Sequence, residues 1–206
     1  MTSSTPIPAI VKTRSLAVLW LAFAATASAQ AQTTPVLDTF TAATTAMTPR
    51  DVALKVVVRE WSNDTARADV LAALGNEAEA RAALAALRTV GYVWHGGSAI
   101  GYALKYAYRS KTDQGERVTF VTDRPVGTDG LQPWVAQGAS GPSTLPYSVI
   151  ELELGGPSAG SGTLSLAADV KLDTTAAVVS LAAKPGTPPV LMNAKLEPKP
   201  YWASGH

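Results

Sequence analysis

Four groups of residues in this chain have the types and spacing to do chemistry. Glu151 and Glu153 stand one residue apart in an extended run, where two carboxylates on one face can shift each other and divide acid–base work if they are buried. Gly156-Pro157-Ser158-Ala159-Gly160 has the G-x-S-x-G form of a nucleophile elbow, which needs a strand turning sharply into a helix with a histidine base beside the serine. His95 carries the ring that serves as a base or a metal ligand near neutral pH. Tyr102, Tyr106 and Tyr108, together with Asp123, Arg124 and Trp134, are the stacking and hydrogen-bonding types that hold an organic ligand.

The first three groups lose their chemistry in context. The serine of the apparent elbow is flanked by strand-like runs on both sides, "ELEL" and "GTLSL", so the segment reads as a hairpin with a flexible, glycine-rich tip. Ile150, Leu152 and Leu154, alternating with the glutamates, are wholly apolar; that face belongs to the core and Glu151 and Glu153 to a solvated outer face. His95 follows Trp94 and precedes Gly96 and Gly97, a turn composition, and the other of the two histidines is the terminal His206. With no cysteine in the chain, a thiolate metal site, a cysteine nucleophile and a disulfide framework are all excluded. No catalytic residue, metal or cofactor is expected.

The fourth group points to binding. In "GYALKYAYR", Tyr102, Leu104, Tyr106 and Tyr108 fall on one side of a continuous strand and are expected to face inward, since burying each is worth about 1.5–3 kcal/mol. Buried hydroxyls need partners, which suits a rim or a partly wet cavity as well as packing. Arg124 to Pro146 is the longest irregular segment, and long loops in compact domains are often functional. Trp134, Arg124, Asp123, Tyr102, Tyr106 and Tyr108 are therefore the expected ligand contacts. A structural account stands beside that one: Pro125 ends the ladder, Asp123 satisfies the turn and Trp134 plugs the end of the sheet.

The elements that must position these residues are mostly strands. "DVALKVVVREW" is expected to be the first, followed by a helical hairpin: Asp64 caps a helix carrying Val70, Leu71 and Leu74, Gly75 stops it in the left-handed conformation, and Asn76 with Glu79 forms a capping box for a second helix. "RTVGYVW", "GYALKYAYR", "ERVTFVTD", "PYSVIELEL", "SGTLSLAADVKL", "AAVVSLAAK" and "PVLMNAKLE" complete a count of about eight strands, separated by turn residues. Short connections favour antiparallel pairing. The expected fold class is mainly β (α+β), a curved eight-stranded antiparallel sheet or barrel with the two helices covering one end or an open edge; a β-sandwich is the alternative.

Composition places the chain. Lys12 and Arg14 precede "SLAVLWLAFAATASA", the pattern of a secretory signal ending at Ala29, with an uncleaved anchor as the alternative. Residues 30–50, rich in Thr and Ala, are expected to be a flexible lead-in, and residues 51–200 a single β-rich domain. Removal of the signal leaves 15 basic and 16 acidic residues, from 17 and 16 in the whole chain, without a basic cluster, so no nucleic-acid partner is expected. No later segment is apolar enough for a stable membrane span, and the protein is expected in the periplasm or outside the cell.

"REWSND" (59–64), "VTFVTDRPVG" (118–127), which contains "TDRPVG", and "LPYSVIELEL" (145–154), with "GYALKYAYR" and "GTLSLAADV", resemble an exported bacterial protein family of unknown function over most of the chain after Arg50. The resemblance implies one domain and no particular activity. The function expected is that of a non-enzymatic module binding a small molecule or cell-envelope component; a carboxylate-dependent enzyme using Asp123 or Glu151 and a structural or assembly partner are the alternatives.

Overall fold

Alternation with a period of two runs through most of the chain, and most of these runs form strands. The computed structural model describes residues 35–96, 98–113, 115–128, 133–139, 141–155, 160–183 and 187–198. The expected signal, Ser158 of the apparent elbow and His206 lie outside the described residues. In chain order the elements are β1 (Asp38–Thr44), β2 (Met47–Thr48), β3 (Ala53–Val58), α1 (Asp64–Leu74), α2 (Glu77–Ala86), β4 (Gly91–His95), β5 (Tyr102–Thr112) and β6 (Gly115–Thr122). They continue with β7 (Val135–Ala136), β8 (Val149–Leu154), β9 (Ser161–Leu164), β10 (Ala168–Asp173), β11 (Val178–Ala183) and β12 (Leu191–Leu196).

Eight strands close into an antiparallel barrel in the order β1-β12-β9-β8-β6-β5-β4-β3, so the barrel rather than the sandwich is the fold. Closure removes the sheet edges that an open structure would leave. The interior is packed with side chains: Phe40, Leu54, Val56, Tyr102, Leu104, Phe120, Ile150 and Leu152 are all buried within one cluster. Phe40 and Phe120 meet across it with ring centroids 5.5 Å apart.

The eight barrel strands are not the eight that alternation picks out. The segment 30–50, expected to be a flexible lead-in, supplies β1, which pairs with β3 on one side and β12 on the other and so closes the barrel. Its inward residues after Phe40 are Ala42 and Thr44, too small and polar to register as an apolar face although both are buried. "SGTLSLAADVKL" is two strands, because a turn over Ser165–Ala167 ends β9 and releases β10 from the barrel. Among the described residues β10 and β11 pair only with each other, and they lie over the outer wall as a ribbon.

The helices also pack on that wall, rather than over an end or an open edge. Val70, Leu71, Leu74, Ala80 and Leu84 join Tyr106, Val121 and Val149, which project outward from β5, β6 and β8. "REWSND" builds the junction: Ser62 exchanges backbone and hydroxyl hydrogen bonds with Ala107, and Asn63, not Asp64, is the N-cap, accepting from the Ala66 amide at 2.9 Å. Gly75 ends α1 in the ordinary right-handed conformation (φ −65°), and Asn76 occupies the cap position of α2 without a side-chain capping bond.

Candidate functional site

β4, β5 and β6 bring their ends together at one mouth of the barrel, and four of the six expected ligand residues meet there. Tyr102, paired with Val93, points inward, and its hydroxyl accepts from the Gly127 amide at 3.1 Å while lying 3.4 Å from His95 Nε2. The Arg124 guanidinium sits 4.9 Å from the Tyr102 ring centroid and donates to the Gly101 carbonyl at 3.0 Å. Trp134 closes the mouth. Its ring lies 5.2 Å from His95, its amide donates to the Gly127 carbonyl, and it is only 4% exposed. Gly127 is required beneath it: φ is +79°, and an added Cβ would fall 2.2 Å from Trp134 Cγ. The short pair β2–β7, with Met47 opposite Ala136, holds the loop across the opening.

This arrangement is a plug over a filled core. The turn after β6 is satisfied by Thr122, whose hydroxyl donates to the Arg124 carbonyl at 2.8 Å, and not by Asp123, whose Oδ1 is shielded without a hydrogen-bond partner. His95, read from sequence as a loop residue, is the last residue of β4 and part of the plug's aromatic packing.

Tyr106 and Tyr108 do not join the others. Leu104 pairs with Thr122 and Tyr106 with Val121, so Lys105 is an extra residue in the ladder and reverses the facing of everything beyond it. Tyr102 and Leu104 face in; Tyr106 and Tyr108 face out, beneath the helices and the ribbon. Lys105 itself turns outward and its ammonium donates to the carbonyls of Ala85 (3.3 Å) and Leu87 (2.7 Å) and to the Thr89 hydroxyl (3.1 Å), closing the C-terminus of α2.

Beneath the ribbon lies a polar layer. The Tyr106 hydroxyl accepts from the Val179 amide at 3.4 Å, and burial pushes its phenol up to about 12. Glu151 does lie on the outer face, as alternation requires, but it is not solvated: it is 5% exposed under β11. Burial raises its carboxyl above the usual range, against the opposing pull of Arg117, the Leu181 amide and the Thr119 hydroxyl. Glu153 beside it pairs with Arg117 at 2.7 Å. Tyr106 and Glu151 lie beneath β11, and none of these groups lines the groove beside β10.

The space on this molecule is elsewhere. A groove of about 640 Å³ opens between the α1–α2 junction, the segment 142–147 and β10. Leu74, Leu145, Tyr147 and Val170 give it apolar patches among Ser143, Thr144 and Ser165; Glu77 and Asp169 are its charged groups. Sequence reasoning missed it because its walls are far apart in the chain and β10 reads as a continuation of β9; the one visible signal was the length of the loop that ends in "STLPYS".

Among the described residues no group of acidic, histidine or cysteine side chains is placed to hold a metal, and no helix is long and apolar enough to cross a membrane. Compared with known proteins, the chain matches no protein-family model, no curated protein and no solved structure.

Proposed function

We propose that this chain is an exported, non-enzymatic binding module that takes its ligand on its outer surface, in the groove beside β10, and not within the barrel. The observation that carries the reading is the contrast between the two places. The barrel is filled and its mouth plugged, whereas the groove is open, of a volume typical of ligand sites, and lined by a mainly polar surface with apolar side chains set among it. Glu77 and Asp169 share the groove, but both are exposed and no histidine or base-activated nucleophile accompanies them. Such a pair supports recognition of charge more than acid–base chemistry.

The test is a thermal-shift and native mass spectrometry screen of the purified protein against envelope peptides, glycan fragments and lipid headgroups. A ligand present at a hundred times its Kd stabilises by about 2.7 kcal/mol. That shift is expected to vanish in Leu145→Arg, which places a long cation in the groove, and to survive in Trp134→Phe. Loss in Trp134→Phe alone would move the site to the barrel mouth; absence of any shift across the screen would remove the reading.

A further inference from the structure

The ribbon leaves one strand edge unpaired, and its two edges differ in a way that identifies what the groove accepts. On β11, the amide of Val179 points away from β10 and donates to the Tyr106 hydroxyl of the barrel wall, and by the two-residue alternation that of Leu181 points the same way. Val179 is paired with Leu172 and Leu181 with Val170. In an antiparallel ladder both members of such a pair turn their backbone groups outward. The N–H and C=O groups of Val170 and Leu172, and by the same alternation those of Ala168, therefore face away from β11 along the free edge of β10. β10 has no other strand neighbour, and no described residue takes up these groups. Ala168, Val170 and Leu172 all line the groove.

From this we infer that the groove binds an extended peptide segment, which adds to β10 as a third strand with apolar side chains on its inner face and a basic side chain across from Asp169. The inference rests on the proposed binding role and names the ligand for the same site. Strand addition supplies the missing hydrogen bonds, and the alternation of β10 supplies the selectivity. Its inner row, Ala168, Val170 and Leu172, is apolar and continues toward Leu145 and Tyr147, so the incoming strand must be apolar on that side. Its outer row is Asp169, Lys171 and Asp173, of which Asp173 already caps the following turn by accepting from the Thr175 and Ala176 amides. Asp169, on the outer row, and Glu77, across the helix junction, are the charged groups of the groove, and both are acidic. The charge of Glu77 reaches the floor, where it adds to burial in raising the Tyr147 phenol. A side chain directly across from Asp169 on an added strand is best basic. A second copy of this protein fits less well: its own β10 would bring β11 and a barrel wall behind it into a space bounded by the helix junction and the segment 142–147.

The test uses blocked synthetic peptides whose core alternates lysine and valine, with a glutamate–valine counterpart, and two N-methylated versions of the lysine peptide. In an antiparallel third strand the valine amides bond to β10 and the lysine amides point away. Methylating the valine amides is expected to weaken binding at least tenfold, while methylating the lysine amides changes it less than about threefold. Hydrogen exchange at the amides of Val170 and Leu172 should slow when the lysine peptide is added. Asp169→Lys is expected to weaken the lysine peptide about tenfold and to favour the glutamate peptide. Equal effects of the two methylation patterns, or no protection at Val170 and Leu172, would overturn strand addition. Were no peptide to bind while a glycan or lipid gave a shift dependent on Leu145, the peptide inference would fail and the groove as binding site would stand; were nothing to bind there, both would fall. Concentration-dependent dimerisation abolished by Asp169→Lys, with no peptide binding, would assign the edge to a second copy and overturn the inference.

Discussion

Glu151 shows how a single side chain takes its character from what covers it. Strand alternation fixes the direction in which it points, away from Ile150 and Leu152, and that much is legible in "VIELEL". Its burial is not legible, because the cover is β11, nearly thirty residues further along the chain. The consequence is a pH dependence of defined sign. A carboxyl whose folded-state pKa is raised contributes stability that is fully present below its unfolded value, near 4.5, and lost as pH rises through the folded value. Glu151→Gln keeps the shape and an acceptor for the Thr119 hydroxyl but cannot ionise. Its melting temperature at pH 7 is expected to exceed that of the parent. The difference should close as pH falls to 4.5; a gap independent of pH in calorimetry would show that ionisation of Glu151 is not its cause.

The strand β5 shows what one residue does to an element. Its eleven residues contain three tyrosines, four and then two residues apart, and an unbroken ladder would place them all on one face. The bulge at Lys105 instead sends Tyr102 to the plug and Tyr106 and Tyr108 to the wall beneath the ribbon, where the guanidinium of Arg67 lies 4.3 Å from the Tyr108 ring centroid. The same bulge frees Lys105 to close α2, so ladder and helix are coupled through one ammonium. Lys105→Met removes the donor and leaves buried carbonyls without it, a loss of about 1–3 kcal/mol in urea unfolding. Amide exchange should rise first in the last turn of α2. Faster exchange spread evenly along β5 would instead point to the bulge itself as the stabilised feature. No period-based reading of "ALKYAY" could reveal this, since bulged and regular strands share one composition.

At the scale of the molecule, the loop from Arg124 onward and the pair β2–β7 turn an open-mouthed barrel into a closed one. Trp134 is the largest piece of that closure, and its replacement by alanine is expected to cost about 3–5 kcal/mol of unfolding free energy. The groove beside β10 is on the outer wall, so a ligand bound there should be retained by Trp134→Ala under conditions where the variant is folded. The expectation of an antiparallel β barrel with a helix pair holds at this scale, and so does the reading of Trp134 as the plug of a sheet end. The gathering of Tyr102, Asp123, Arg124 and Trp134 in one region follows from chain ends that a hairpin order already places together. The ribbon and the groove do not follow, because they depend on β10 and β11 leaving the barrel while β1 enters it.

Side-chain alternation by itself determined that this chain folds as antiparallel strands with a helical hairpin, because a period of two and a period of 3.6 bury different residues and each is written locally. Which strands close the barrel, which way Tyr106 and Tyr108 face, and where a free edge remains were decided only in three dimensions. Closure, bulge register and ribbon docking each depend on a partner distant in sequence, and no local pattern encodes the distance between them.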